Sequence, residues 1–365
     1  MLPKLEIRAQ GILHNIRALK ALAARRGIAL SFVTKGLVAD ERLMRMILDG
    51  GVDSVCESRV QNLEKLFGPG GPLAQEPYAG VEKWLIRTPL PSDAADVVRY
   101  ADVSLNSERV TLEALSGEAL KQGRAHKVVL MAELGELREG ALPEELIELC
   151  KVAESLPGVE LHGIGANLSC LNAIVPDERN MGALALTVRE AEAQLGRKLA
   201  CISGGSTSTV RMLEEGTLPP EINHLRLGEA MLIGNVACYD VPFAGARTDN
   251  FLLTAEVIEV KEKPAVPWGC RIDAPTGAFV PVGKEGPAVR KRALIGVGYQ
   301  DMDIRESQPL EPGLVLVDGT SDCFVCDVTD CPRALAPGDF VRFSLKYHAM
   351  VQAMAVDSVE KVIVE

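Results

Sequence analysis

The sequence lacks the features that would direct it to a membrane, a nucleic acid or a disulfide scaffold. Its start, MLPKLEIRAQ, carries no apolar signal core and no cleavage pattern. No stretch approaches the ~18 consecutive apolar residues that a spanning helix needs. The expectation is a soluble, cytoplasmic chain with no membrane partner. Basic residues are outnumbered, with 39 Lys and Arg against 50 Asp and Glu and a net charge of −11. They are also scattered, which argues against a nucleic-acid partner. The nine cysteines are odd in number, and Cys150, Cys201 and Cys238 sit inside apolar runs, where a free thiol acts as a small hydrophobe. In a chain of this size that pattern fits a reducing compartment rather than a disulfide framework. The one cysteine cluster, DCFVCDVTDC, brings Cys323, Cys326 and Cys331 close together. It has no second CxxC and no paired histidines to complete a zinc site, so no metal is expected. Read as a single strand, it puts Cys323 and Cys331 on one face and Cys326 on the other. There is no low-complexity segment and no internal repeat.

What the sequence does contain is an alternating rhythm. With 365 residues, 47% of them hydrophobic, the chain can bury a large core in one large domain or two. Ile12, Ile16, Leu19 and Ala23 recur at helical spacing, and IALSFVTK then reads as a strand. DERLMRMILDGG follows as a helix with an acidic start and a glycine stop. Eight strand candidates appear at about residues 30–34, 53–55, 84–87, 102–105, 127–132, 160–165, 200–203 and 222–226, mostly separated by amphipathic segments such as PEELIELCKVAESL. Eight alternations in about 240 residues predict a (β/α)8 TIM barrel over residues 1–240. A doubly wound open sheet is the alternative, weakened because no GxGxxG follows the early strands. Near residue 245 the pattern changes to short β-rich runs broken by Pro and Gly, such as NFLLTAEVIEVKEK and DFVRFSLKY. Residues 241–365 are therefore expected to form an all-β C-terminal domain.

In a barrel, chemistry gathers at the C-terminal ends of the strands. The polar residues just past the apolar runs are Lys35, Glu57 and Ser58, Arg87, Asn106 and Ser107, Glu133 with Arg138, Asn167 and Ser169, the loop SGGSTST, and Arg226 with Gly228. Any one of these has a plainer reading, Lys35 as a solvated strand-end lysine and ISGGSTST (202–209) as an ordinary capped turn. That loop nevertheless combines Gly204 and Gly205, which allow close backbone approach, with the hydroxyls of Ser206, Thr207 and Ser208 ahead of a helix, a combination that suits a phosphate. LRLGEAMLIG (225–234) repeats the theme on the next strand. An amine and a late-barrel phosphate site together point to pyridoxal 5'-phosphate, with Lys35 bonded to it.

Carried by VTKG (33–36), LIRTPL (85–90), ELGELREG (133–140), GIGANLSC (163–170), ISGGSTST, LRLGEAMLIG and CDVTD (326–330) in this order, the chain resembles the alanine racemase family of fold-type III pyridoxal-phosphate enzymes over essentially its whole length. The resemblance implies that Lys35 holds the cofactor covalently and serves as one of two catalytic bases. Tyr299, in IGVGYQDMD, would be the second base, supplied by the β domain of a partner chain in a head-to-tail homodimer. Arg138 would hold the cofactor phenolate and the substrate carboxylate, and Arg226 would face the pyridine nitrogen. Ser203, Gly204, Gly205, Ser206 and Thr207, the amides near Gly228 and Glu229, and Tyr347 would bind the phosphate. Asn167 stands where alanine racemases place a histidine against the ring, and Asp318 lies where the family keeps an aspartate near the substrate carboxylate. The implied activity is racemisation of a free amino acid, ornithine or a related one. Alternatives are alanine or a broad substrate range, or a fold-type III basic amino-acid decarboxylase, whose catalytic Cys–Asp pair Cys326 and Asp327 resemble locally. A cofactor carrier without turnover would lack the β domain, and a cofactor-free barrel enzyme is the remaining alternative. The stretch GLVADE after Lys35 lacks the tyrosine that alanine racemases carry there, so alanine preference does not follow. Glu136, Asp301, Asp303 and Asp322 are candidate contacts for a distal substrate amine.

A tyrosine has an ordinary pKa of ~10, so Tyr299 needs a nearby cation to act as a base at neutral pH, and Arg138 is a candidate. A guanidinium does not give up its proton in proteins. Arg226 would therefore leave the pyridine nitrogen unprotonated, which favours racemisation over transamination.

Overall fold

The structure is a computed structural model that describes residues 3–236, 238–267, 269–272, 279–282 and 289–364. It divides into two units, Ala9–Asn250 and Met1–Arg8 with Phe251–Glu365. The strand β1 (Lys4–Arg8) belongs to the second unit. In the first, the strands β2 (Ala29–Val33), β3 (Ser54–Glu57), β4 (Glu82–Leu85), β5 (Val103–Asn106), β6 (His126–Ala132), β7 (Val159–Ala166), β8 (Cys201–Ser203) and β9 (His224–Leu227) form a closed barrel in chain order. All neighbours are parallel, and β2 closes the ring: Phe32 stands opposite Val55 on one side and Leu227 on the other. The expected (β/α)8 barrel is the observed one.

Helices between the strands supply the outer layer and begin where the sequence provides caps. Asp40 accepts from the amides of Arg42 and Leu43 at 2.9 and 3.2 Å to start Glu41–Asp49. Asp177 and Asn180 form a reciprocal capping box at the head of Glu178–Leu195. The barrel interior is packed: Val33, Cys56, Trp84, Val103, Leu105, Val129, Met131 and Cys201 form one buried cluster.

The second unit is a largely antiparallel sheet. The long strand Phe251–Lys263 is its spine, pairing β1 and Phe340–Leu345 along its first half and Arg290–Ile295 along its second. Phe324–Asp327 and Val315–Gly319 extend one side, and Ser307–Pro309 the other.

The division differs from the expected boundary in two respects. The barrel unit runs ten residues further, to Asn250, and the first eight residues join the β unit. Lys4–Arg8 pairs in parallel with Glu360–Val364 and antiparallel with Phe251–Lys263. That pairing closes over more than 240 residues of chain, and no local pattern encodes it.

Candidate active site

Lys35 is the first residue of a short 3-10 turn, Lys35–Leu37, directly after β2. The strand before it is buried from Ser31 to Thr34, and Lys35 is exposed at the barrel mouth. The turn that follows is strained: Val38 and Ala39 both adopt left-handed conformations, with φ of 51° and 52°. For a β-branched residue this is a genuine outlier, and such residues cost on the order of 1–3 kcal/mol each unless their surroundings hold them. Here the Asp40 amide donates to the Leu37 carbonyl at 2.9 Å and Lys65 Nζ to the Ala39 carbonyl at 3.0 Å. The strain therefore fixes the ground on which Lys35 stands.

Glu57, at the end of β3, is completely buried beside this lysine. Its carboxylate accepts from Thr34 Oγ1 at 3.0 Å and Asn62 Nδ2 at 3.1 Å. Burial raises its pKa, opposed by those hydrogen bonds and by the charge of Lys35.

The loop after β8 carries the glycines and hydroxyls from which anion binding is expected. Gly205 has φ +107°, a conformation a side chain does not tolerate, and an added Cβ would meet Thr209 Oγ1 at 3.0 Å. The amides of Gly228 and Ala230 donate to Thr207 Oγ1, each at 3.3 Å, and tie this loop to the one after β9. The Gly228 amide expected to face a phosphate is thus engaged within the protein. Among the described residues the Ser206 and Ser208 hydroxyls reach the Leu168 carbonyl and each other, at 3.3–3.4 Å. An added Cβ at Gly228 would lie 2.9 Å from Val33 Cβ, so β9 and β2 meet only through glycine there.

Arg226, on β9, is 3% exposed. Its Nη1 donates to Ser203 Oγ, and its Nη2 to the Ala166 carbonyl at 2.9 Å. It has no ion pair among the described residues. Burial pushes its pKa down, but a guanidinium keeps its proton. An uncompensated buried cation costs several kcal/mol, which is the expected condition of a site that takes an electron-rich ligand. Together with the hydroxyl-lined glycine turn, it gives a donor set that fits pyridoxal phosphate.

Arg138 lies in the loop after β6 and is ion-paired to Glu139, which raises its pKa. Asn167, half-buried after β7, donates to Cys170 Sγ at 3.1 Å. Glu136 is not available for a substrate amine. It is 2% exposed, and its carboxylate accepts the amides of Ser169 (2.9 Å), Cys170 (2.7 Å), Leu171, Asn172 (2.9 Å) and Ile174 (3.3 Å). Burial raises the Glu136 pKa, but these amides outweigh it and hold the pKa low.

The β unit carries the remaining candidates. Tyr299 is 40% exposed and donates to Asp318 Oδ1 at 3.0 Å. That bond raises the tyrosine pKa, the opposite of what a base requires, and the charge of Arg305 in the same unit offsets it only in part. Tyr347 opens the helix Tyr347–Ala355. Asp301 is buried, accepting from the Gly298 amide and Ser358, and Asp303 is paired to Arg305. Asp322 is exposed, with Thr320 Oγ1 at 2.7 Å. Cys323 and Cys331 both lie outside the strand Phe324–Asp327, so they do not share a strand face. Burial pushes Cys326 up to about 12. Asp327 is tied to Arg290 at 2.8 Å and lies 3.4 Å from Arg292. A sealed thiol and an ion-paired carboxylate do not make a catalytic pair, which removes the basis of the decarboxylase alternative. Among the described residues no cluster of His, Cys, Asp or Glu could hold a metal, and no helix is long and apolar enough to cross a membrane.

Residue-by-residue reading of the sequence missed the polar groups inside the barrel: Ser31, Ser54, Glu82 and His224. His224 stacks on Trp84, with centroids 4.7 Å apart and planes 11° apart. The signal was present as polar residues two apart on a buried strand, His224 and Arg226 in HLRL, which place both side chains on the same face.

Comparisons with known proteins bear on the family and the fold. The model of the alanine racemase N-terminal domain matches residues 7–236. An ornithine racemase of Acetoanaerobium sticklandii is 33% identical over 362 residues, covering 99% of each chain. A lysine racemase of Thermotoga maritima is 32% identical over 99% of this chain and 98% of its own. Among solved structures, the alanine racemase of Streptomyces coelicolor A3(2) superposes with a TM-score of 0.72 at 20% identity, covering 100% of this chain and 98% of its own. That of Bartonella henselae, with covalently bound pyridoxal phosphate, superposes with a TM-score of 0.74 at 15% identity over 100% of both chains. The chain belongs to the alanine racemase family and is an amino-acid racemase.

Proposed function

We propose that the protein is a pyridoxal-phosphate-dependent racemase of a basic amino acid, ornithine or lysine, working as a head-to-tail homodimer. The observation that carries the cofactor reading is the pairing, at one barrel mouth, of a lysine on a strained strand-end turn with a buried guanidinium that has no carboxylate partner among the described residues. The basic substrate is supported by the two relatives of about one-third identity, named as racemases of ornithine and lysine.

Bound at this mouth, the cofactor supplies an electron-withdrawing carbonyl and ring that acidify the substrate α-hydrogen. Lys35 would hold it covalently, and its amine then takes or returns a proton at the α-carbon from one face. The Ser206, Thr207 and Ser208 loop would hold the phosphate. Arg226 keeps its own proton and so offers none of carboxylic acidity to the ring nitrogen, which limits transamination. Arg138 would bind the substrate carboxylate as a fixed fork. Tyr299, on the opposite face, would be the second base. Because its own unit raises its pKa, it requires a cation brought by a second copy of the chain.

The test is a racemisation assay with pure protein and pyridoxal phosphate over the L-enantiomers of ornithine, lysine, arginine, serine and alanine. Ornithine or lysine is expected to show the highest kcat/KM. Lys35→Ala should lose both turnover and the cofactor adduct seen by mass spectrometry after borohydride reduction. Absence of racemisation across the panel, or an adduct retained in Lys35→Ala, overturns the reading.

A further inference from the structure

A chain of hydrogen bonds runs inside the barrel away from Arg226. Arg226 Nη1 contacts Ser203 Oγ, and Ser203 Oγ lies 2.9 Å from His224 Nδ1. His224 Nε2 lies 2.8 Å from Ser31 Oγ, which is 2.6 Å from Ser54 Oγ. Ser54 Oγ reaches Glu82 Oε2 at 3.4 Å, the longest link, and Glu82 Oε2 also accepts from Trp84 Nε1 at 2.7 Å. Five strands contribute: β2, β3, β4, β8 and β9. Ser31, Ser203 and His224 are all buried, as is the Trp84 ring stacked on the imidazole.

The two ends fix the direction of every proton between them. Arg226 can only donate, so Ser203 Oγ accepts from it. Among the described residues the acceptor for the Ser203 hydroxyl proton is His224 Nδ1. A nitrogen that accepts is unprotonated, so the neutral ring carries its proton on Nε2 and donates to Ser31. Ser31 in turn donates to Ser54, and Ser54 to the Glu82 carboxylate, which at neutral pH can only accept. Each hydroxyl thus accepts once and donates once. The opposite tautomer would leave the Ser203 proton without a partner in a buried site, which is unfavourable. An imidazolium would add a second buried cation beside Arg226.

We propose that this polarised chain is a positioning device: His224, locked as the Nε2–H tautomer, turns the Ser203 lone pair onto Arg226, so that Ser203 and the Ala166 carbonyl clamp both terminal nitrogens of the guanidinium. Ser203, which the sequence places among the phosphate ligands, is thereby reassigned to orienting Arg226. The proposal rests on the cofactor reading only for its catalytic consequence. The tautomer itself is a property of the barrel.

Two experiments separate these. Neutron diffraction from a deuterium-exchanged crystal of the purified protein, with pyridoxal phosphate if it binds and without it otherwise, reads the protons directly. A deuteron on His224 Nε2 with none on Nδ1, and the Ser203 deuteron directed at Nδ1, is expected. A deuteron on Nδ1 overturns the proposal, whatever the enzyme's substrate. The second experiment compares Ser203→Ala with the parent enzyme. Loss of an orienting partner typically costs 10- to 100-fold. Here kcat should fall by about tenfold with KM within about twofold, and the ratio of racemisation to transamination turnovers should fall by a similar factor. Ser203→Ala with unchanged kcat and unchanged partition would overturn the positioning role. A Ser203→Ala protein that instead loses cofactor affinity alone would return Ser203 to the phosphate site and also overturn it. Should the wild type fail to bind pyridoxal phosphate at all, the proposed function falls while the neutron result still decides the tautomer.

Discussion

His224 and His126 are held neutral by their surroundings. His224 is buried, stacked on Trp84 and close to Arg226, and burial pushes its pKa down to about 3. His126, on β6, bonds Ser104 Oγ at 2.8 Å through Nε2, and its Nδ1 has no partner among the described residues. Burial pushes its pKa down to about 4. In the unfolded chain both would titrate near 6.5. Their folded pKa values lie below the unfolded ones, so between those limits the unfolded state binds more protons. The associated stability is present above pH 6.5 and is lost as the pH falls towards 4 and then 3. At about 1.4 kcal/mol per pH unit for each group well below 6.5, a drop from pH 7 to pH 5 should cost the barrel roughly 4 kcal/mol. Urea denaturation at the two pH values, followed by barrel fluorescence from Trp84, measures it. Replacement of His224 by Gln should remove about half of the pH dependence. A profile flat from pH 7 to 5 would mean that these imidazoles reach water.

At the scale of elements, the loops at the barrel mouth are secured to one another. Glu136, after β6, gathers five successive or near-successive amides of the segment after β7. The carbonyl of Leu168, from that same segment, receives the Ser206 and Ser208 hydroxyls after β8. One carboxylate therefore braces the loop that carries Asn167 and, through Leu168, the glycine turn. Glu136→Ala leaves the five amides without their acceptor. It should destabilise the loop by about 2–3 kcal/mol, as expected for loss of a charged acceptor. The readout is hydrogen–deuterium exchange: amides of residues 169–174 should exchange roughly 30- to 150-fold faster, the factor that this free energy corresponds to, while those of β2 to β5 stay unchanged. Equal protection in the variant would show that the loop holds itself. Glu136 illustrates what the sequence concealed. As an acid in ELGELREG it reads as a candidate for a substrate amine, because nothing local says that a segment more than thirty residues later will occupy it. The barrel strands, by contrast, were legible to within about two residues at each end. Their apolar runs are short, bounded by caps and glycines, and paired in sequence order, so local pattern and tertiary pairing agree. The strand ends carried the site for the same reason, since a parallel barrel puts every strand's C-terminus at one mouth. Beyond the barrel, Tyr347 reads as the end of a strand and instead starts a helix.

At the scale of the whole molecule, the two proposed bases lie in different units, Lys35 in Ala9–Asn250 and Tyr299 in the unit that includes Phe251–Glu365. Within its own unit Tyr299 has Asp318 for a partner, and that carboxylate makes the phenol a weaker acid. A base at neutral pH needs the reverse, and Arg305 of the same unit opposes the carboxylate only in part, so under the dimer reading a further cation comes from the barrel of a second copy, with Arg138 as the candidate. This predicts complementation. Lys35→Ala and Tyr299→Phe proteins are each expected to be inactive alone. Mixed in equal amounts and allowed to exchange subunits, roughly half of the dimers are hybrids under random reassortment. A hybrid then holds one site with both native residues and one with neither. Activity should therefore return to about a quarter of the wild-type value. The regained activity should also rise with incubation time at the rate of subunit exchange, which native mass spectrometry of an isotope-labelled partner follows independently. If exchange proceeds to completion with no activity regained, Tyr299 acts within its own chain or is not a base, and the shared site is wrong. The single Tyr299→Phe variant carries a directional signature as well: removal of the α-proton should slow for one enantiomer far more than for the other, because only one face of the substrate loses its base.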